Sequence, residues 1–297
     1  MKEPLLRLGF ALTASIAAVA ATAAQQTVPN ADFVVARPVV NMYHNASAMS
    51  DVVSQALYGT GVLTLSRDGD FYNIRTADDY TGWVKAADLR PLNGKTYAGE
   101  GQAVHVTSLS ANVYREPDTT THAPLLNLPW ESRLELVDGK IDATKRWLQV
   151  RLVSGDLAWI QQGDVSAQTK VLSIDAMLQL ARRFIGVTYT WGGVSSFGYD
   201  CSGFMQMLER QRGIEMPRDA SVQAKWSGGV PVDRKDLEPG DLLYFGSRPE
   251  HITHTGMYLG NGEFINDTPR GHPGVQIDRL DDMPWTQLFV TARRVKP

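Results

Sequence analysis

A segment of this 297-residue chain repeats itself, without gaps, at an offset of 76 residues. Phe71 overlays Trp147, Ile74 overlays Val150 and Arg75 overlays Arg151. Farther on, Trp83, Val84, Asp88 and Leu89 overlay Trp159, Ile160, Asp164 and Val165. Upstream, Asn41-Met42-Tyr43 matches Asn112-Val113-Tyr114 at a slightly different offset, so one copy carries an insertion. Each copy alternates short apolar stretches with Gly, Asp and Asn, the pattern of short strands joined by tight turns. The repeat predicts two small all-β barrels of about 60–70 residues each, over residues 31–95 and 100–168.

After Lys170 the period changes. Ile174, Met177, Leu178, Ala181, Phe184 and Ile185 recur at spacings of three and four, which predicts an amphipathic helix over Ser173 to Ile185, stopped by Gly186. A Gly-rich stretch, Trp191 to Tyr199, leads into a second helix that starts at Asp200-Cys201, buries Phe204, Met207 and Leu208, and ends near Gly213. Alternating segments follow at 241–245, 254–259, 263–266, 275–277 and 289–293. Helices succeeded by an antiparallel run predict an α+β domain over residues 173–297.

Composition narrows the class. With 43% hydrophobic residues the chain can fill several cores, and a net charge of −3 argues against nucleic acid or an anionic membrane as its main partner. Residues 1–23 have the form of a signal peptide: basic Lys2 and Arg7, an uncharged run from Leu8 to Ala20 and a small-x-small site at Ala21-Thr22-Ala23. Export to the periplasm or the medium is therefore expected, with no membrane-spanning segment left after cleavage. Nothing in the sequence sets an oligomeric state.

An exported chain with a single cysteine, Cys201, cannot form an intrachain disulfide or a Cys-based zinc site. Asp200 is a helix N-cap, so Cys201 falls in the first helical turn. A helix dipole with an imidazole nearby lowers a thiol from about 8.5 to roughly 3.5–7.5. Cys201 therefore reads as an activated nucleophile, against the alternative of an inert core thiol. A nucleophilic thiol needs a base and an orienting group. Of the six histidines (His44, His105, His122, His251, His254 and His272), His254 is best placed, because His254 to Leu259 alternates as a strand. A three-residue loop centred on Asn261 pairs Gly256 with Asn266 and brings Asn266 to the face of His254. A metal reading of His251 with His254, Glu250 and Asp267 fails on spacing, since strand positions three apart face opposite sides.

The ordered segments Tyr189-Thr190-Trp191-Gly192-Gly193, Asp200-Cys201-Ser202-Gly203-Phe204, Pro217-Arg218-Asp219, Pro239 to Phe245 and His254 to Gly260 resemble the NlpC-type cell-wall cysteine peptidases. The β units resemble bacterial SH3-like modules, as in the subgroup of γ-D-glutamyl-L-diamino-acid endopeptidases. The resemblance implies a papain-like catalytic domain behind two SH3-like barrels, acting on murein peptides without cofactor or metal. It implies Cys201 as nucleophile, His254 as base and acid, Asn266 at a third polar position where many relatives carry His, and Tyr189 as a polarising donor. Trp191, Asp200, Ser202 and Asp219 match the substrate cleft, with Asp219 holding the free amine of an N-terminal L-Ala; a pairing with Arg218 or a helix cap is the other use of that carboxylate. Tyr80 of the first module closes the end of the cleft. Where an acid is expected beside it, the sequence has Val52-Val53, and Asp51 is the nearest carboxylate. A non-catalytic wall-binding protein and a murein amidase on the same core are the rival functions.

Overall fold

A computed structural model describes residues 28–99, 102–139, 141–142, 144–168 and 170–296. The signal peptide expected over residues 1–23 lies outside them.

The first copy of the repeat forms seven strands: β1 (Phe33–Val35), β2 (Val39–Tyr43), β3 (Val52–Leu57), β4 (Gly61–Asp68), β5 (Phe71–Arg75), β6 (Thr81–Lys85) and β7 (Leu89–Pro91). The second forms seven more: β8 (Ala103–Val106), β9 (Ser110–Tyr114), β10 (Leu126–Pro129), β11 (Arg133–Leu136), β12 (Trp147–Arg151), β13 (Leu157–Gln161) and β14 (Val165–Ser166). The two sheets have the same strand order, β3-β2-β6-β5-β4-β1-β7 and β10-β9-β13-β12-β11-β8-β14. The sequence offset is reproduced in the ladders: Asn73 faces Trp83, and Gln149 faces Trp159. Period-two alternation turns Ile74, Val84 and Met42 into one core, and Val150, Ile160 and Val113 into the other. Neither ladder closes into a ring; β3 and β7, or β10 and β14, remain as ends, so the expected barrels are open sheets.

The remainder is a helical layer on a six-stranded antiparallel sheet. Helix α1 (Ile174–Arg182) starts at Ser173, whose hydroxyl accepts from Ala176 N at 3.2 Å. Its nine residues, about two and a half turns, carry its apolar positions into the core, and it is shorter than expected because the chain tightens before Gly186, at φ 91°. A small hairpin, β15 (Val194–Ser195) and β16 (Gly198–Tyr199), leads into α2 (Cys201–Arg210) and the short α3 (Ala220–Gln223). The sheet comprises β17 (Gly229–Val232), β18 (Leu242–Arg248), β19 (His251–Gly260), β20 (Glu263–Thr268), β21 (Gly274–Arg279) and β22 (Phe289–Val295) in the order β17-β22-β18-β19-β20-β21, with α4 (Trp285–Leu288) before the last strand. Its two faces differ. Leu242, Tyr244, Met257 and Ile265 pack with Phe184, Phe204 and Leu208 of the helical layer. Leu243, Phe245 and Phe264 pack with Trp285 on the other side. No helix among the described residues is long and apolar enough to cross a membrane.

The two N-terminal sheets dock differently. The second is fixed behind the helices: Trp130 packs on Phe184 at 5.5 Å between ring centroids, and Glu131 pairs with Arg210 at 2.9 Å. The first lies against the Gly-rich stretch and the start of α2, where Gln55 Oε1 accepts from Val194 N at 3.1 Å and Ser54 Oγ accepts from Arg218 Nε at 3.2 Å.

Candidate active site

Asp200 caps α2, its Oδ1 accepting from Gly203 N at 2.8 Å, and this sets Cys201 as the first helical residue. The thiol is buried against β19, where the backbone N–H groups of Thr255 and Ser202 act on its sulfur. Thr255 directly follows His254 in the chain, so the strand that carries the imidazole runs past the thiol. His254 Nε2 donates to Asn266 Oδ1 at 2.8 Å. Asn266 is fully buried, and its Nδ2 donates in turn to Asp278 Oδ2 at 2.9 Å and to Gln276 O at 3.4 Å. This fixes the amide orientation and leaves Nδ1 as the ring nitrogen without the proton.

The shared face of His254 and Asn266 arises by a different turn from the one expected. Asn261 and Gly262 both have positive φ, 54° and 78°, as a two-residue turn with mirror-image twist requires. Such a turn alone pairs Gly260 with Glu263 and sends Asn266 to the wrong face. An irregularity between Tyr258 and Gly260 inserts one residue and restores Met257 opposite Ile265.

The charges also differ from expectation. Burial pushes the Cys201 thiol up, to about 12, and the Asp200 carboxylate adds to this; Arg218 and the two N–H groups oppose it. The cap of α2 is an anion, which offsets the helix dipole that was expected to stabilise a thiolate. Burial likewise lowers His254 to about 4, against the Asn266 hydrogen bond that raises it. Burial thus disfavours the charged form of both groups. Tyr189 is half-buried close enough to Cys201 for the thiol's charge to raise its phenol, after burial.

Asp200 and Ser202 are not free lining groups. Asp200 accepts from Gly192 N at 3.0 Å, from Ser202 Oγ at 3.2 Å and from Arg218 at 2.9 and 2.6 Å; Arg218 also donates to Ser202 Oγ at 2.8 Å. This buried fork holds the Gly-rich stretch, the helix start and the first sheet together. Trp191, by contrast, is 70% exposed. Asp219 makes neither of its alternative contacts: it has no side-chain cap bond, and Arg218 pairs with Asp200. Its two oxygens instead accept from Tyr80 Oη at 3.3 Å each, and burial raises its pKa. Val52 packs its Cγ1 where a Cβ on Gly192 would stand, at 2.8 Å. The first-sheet carboxylate that bears on Asp219 is not Asp51, which is exposed, but Asp78, whose Oδ2 accepts from Gln206 Nε2 at 2.9 Å.

Trp285, which no periodic signal marks in the sequence, stacks on His254 at 5.0 Å between ring centroids with planes 26° apart. His251 is exposed and bonds Ser247 instead of joining His254. Among the described residues, His, Cys, Asp and Glu form no group of three or more placed to hold a metal ion.

Residues 186–294 match the NlpC/P60 family, and residues 42–89 match the bacterial dipeptidyl-peptidase SH3 domain. The chain is a cysteine peptidase of the NlpC/P60 family. Among its relatives is the γ-D-glutamyl-L-lysine dipeptidyl-peptidase of Bacillus cereus, 28% identical over 82% of this chain and 75% of that protein. Its Bacillus subtilis counterpart is 27% identical over 82% of this chain and 81% of that protein. The murein DD-endopeptidase MepH of Escherichia coli is 37% identical over 48% of this chain and 51% of that protein. The fold is that of a crystal structure of an NlpC/P60 family protein from Bacillus cereus, with a TM-score of 0.75 at 24% identity over 90% of this chain and 100% of that one. The NlpC/P60 peptidase is thus papain-like and stands behind an N-terminal SH3 domain.

Proposed function

We propose that this peptidase hydrolyses the γ-D-glutamyl-diamino-acid bond of murein stem peptides, taking those with a free N-terminal L-Ala. The contact between Tyr80 and Asp219 carries this reading. Asp219 follows Arg218, which is bonded to the cap of the Cys201 helix, so the SH3 domain and the nucleophile meet around one half-buried carboxylate. Its partner there is a phenol, and a peptide ammonium supplies the cation that such a desolvated carboxylate pairs with best. The names and the two-part match of the Bacillus relatives support the same bond and substrate class.

In this reading His254 Nδ1 takes the Cys201 proton as the sulfur attacks the γ-carbonyl, which suits a pair whose charged forms burial disfavours. Backbone N–H groups at the start of α2 and the Tyr189 hydroxyl receive the oxyanion. The tetrahedral intermediate collapses, His254 passes its proton to the leaving amine, and a thioester remains. Water, deprotonated by His254, cleaves the thioester and restores the thiol. Asn266 holds the imidazole, and Trp191, exposed at the rim, covers the peptide. The units are residues 31–95, 100–168 and 173–297; the second sheet is SH3-like too, on the strength of its shared strand order. Residues 1–23 direct export to the periplasm or the medium.

Two peptides test this: the free tripeptide L-Ala-γ-D-Glu-diamino acid and its N-acetylated form. Release of L-Ala-D-Glu from the free peptide alone is expected, with Asp219→Asn raising KM. Equal cleavage of both forms removes the amine requirement, and cleavage of neither removes the assignment.

A further inference from the structure

Asp267 is fully buried, and neither carboxylate oxygen has a hydrogen-bond partner among the described residues. A desolvated, unbonded carboxylate is costly to charge, so its persistence beside an active site calls for a use. Asp267 follows Asn266 on β20 and therefore points to the opposite face, the one packed under α2 with Ile265. On the neighbouring strand β19, Met257 pairs with Ile265, and continuing that register by one pleat brings Thr255 toward Asp267. Thr255 is the residue whose N–H meets the Cys201 sulfur, and its own hydroxyl is buried without a partner among the described residues, as is the hydroxyl of Tyr199. Asp267 thus lies on the α2 side of β20 and bears on Asp200 and Tyr189, two groups that also interact with Cys201.

Among the described residues no cation bears on Asp267; Arg218, which acts on Tyr189 and Cys201, is held by Asp200. From the cap of α2 comes Asp200; from the preceding segment come Tyr189 and Tyr199, whose phenols both respond to a charge on Asp267. From β21 its partner is Val275, and His254 of β19 lies on the other face with Asn266. Burial first, and the Asp200 charge second, raise Asp267 from 3.8 to about 8.

We propose that Asp267 is a positioning residue that supports catalysis as the uncharged acid, and that its ionisation disfavours the Cys201 thiolate and the oxyanion and so sets the alkaline limit of the peptidase. The proposal rests on the peptidase reading of Cys201. Physically, a second carboxylate next to Asp200, whose own counter-charge Arg218 is already engaged, opposes the negative charge the reaction develops at sulfur and oxygen.

The test compares kcat/KM against pH for the full chain and for Asp267→Asn, on the free tripeptide. The substrate's amine titrates near the same pH but equally for both proteins, so the ratio isolates Asp267. One proton lost at about pH 8 lowers the wild-type to Asp267→Asn ratio about tenfold between about pH 7 and about pH 9. Parallel profiles overturn the proposal. The carboxyl carbon signal of Asp267, followed by NMR in the wild-type protein, gives a second readout that needs no variant to fold: a midpoint near pH 8 supports the proposal, and a carboxylate already ionised at about pH 6 overturns it. If the tripeptide is not cleaved at all, the peptidase reading fails separately. The carboxyl titration, with iodoacetamide alkylation of Cys201 at about pH 9, then decides for Asp267: faster alkylation in Asp267→Asn supports it, and equal rates refute it.

Discussion

Replacing Arg218 with Leu tests the buried fork on which the site is built. The Arg218 side chain is 1% exposed and donates to both oxygens of Asp200, at 2.9 and 2.6 Å, to Ser202 Oγ at 2.8 Å and to Ser54 Oγ at 3.2 Å. Leucine fills much of the volume but leaves Asp200 as a buried charge with only its backbone and hydroxyl donors. Removing one partner of a buried ion pair costs about 3–5 kcal/mol, because the other remains uncompensated. The loss reads out as a lower urea midpoint at unchanged slope, followed by circular dichroism. It reaches the chemistry as well: Arg218 pulls the Cys201 thiol down while Asp200 pushes it up, so alkylation of Cys201 slows in the variant. Adding Asp200→Asn removes the stranded charge, so the double variant is more stable than the sum of the single losses predicts. A cost below about 1 kcal/mol for Arg218→Leu, with strictly additive singles, refutes the reasoning.

Three further outcomes follow from the geometry. Because burial disfavours the charged forms of Cys201 and His254, alkylation accelerates by about one decade per pH unit between about pH 5 and about pH 7.5; a plateau across that range contradicts those shifts. Asn266→Ala frees the imidazole, and kcat for tripeptide hydrolysis falls by about 10²-fold or more with little change in KM; an unaltered kcat means that Asn266 does not orient His254. Asp267 binds its proton far more tightly when folded than at its ordinary value of 3.8, so it lowers stability progressively as pH rises from about 4 to about 8. The melting temperature of Asp267→Asn relative to wild type therefore climbs over that window and levels off above it; a constant difference contradicts the shift.

The repeat was legible because aromatic and β-branched positions kept both their period of two and their offset, and the ladders preserve it residue for residue in Asn73–Trp83 and Gln149–Trp159. The common face of His254 and Asn266 was legible from alternation, although the turn that delivers it required an extra residue that no residue type announces. The paired role of Asp200 with Arg218 was hidden, since the two meet only when the chain leaving α2 returns to the start of that helix. Trp285 sits on a single short turn without periodicity, and its stacking on His254 depends on how β22 returns to the sheet. The opposing influences on the Cys201 thiol were not legible, because a dipole argument counts the helix but not desolvation and the anionic cap, which push the thiol up.

The central claim is that Cys201 opens the γ-D-glutamyl bond. Mass spectrometry of the free murein tripeptide, incubated with the wild-type chain and with Cys201→Ala, addresses it directly. The account predicts L-Ala-D-Glu and free diamino acid from the wild type and intact tripeptide with Cys201→Ala; turnover that survives the loss of the thiol contradicts it.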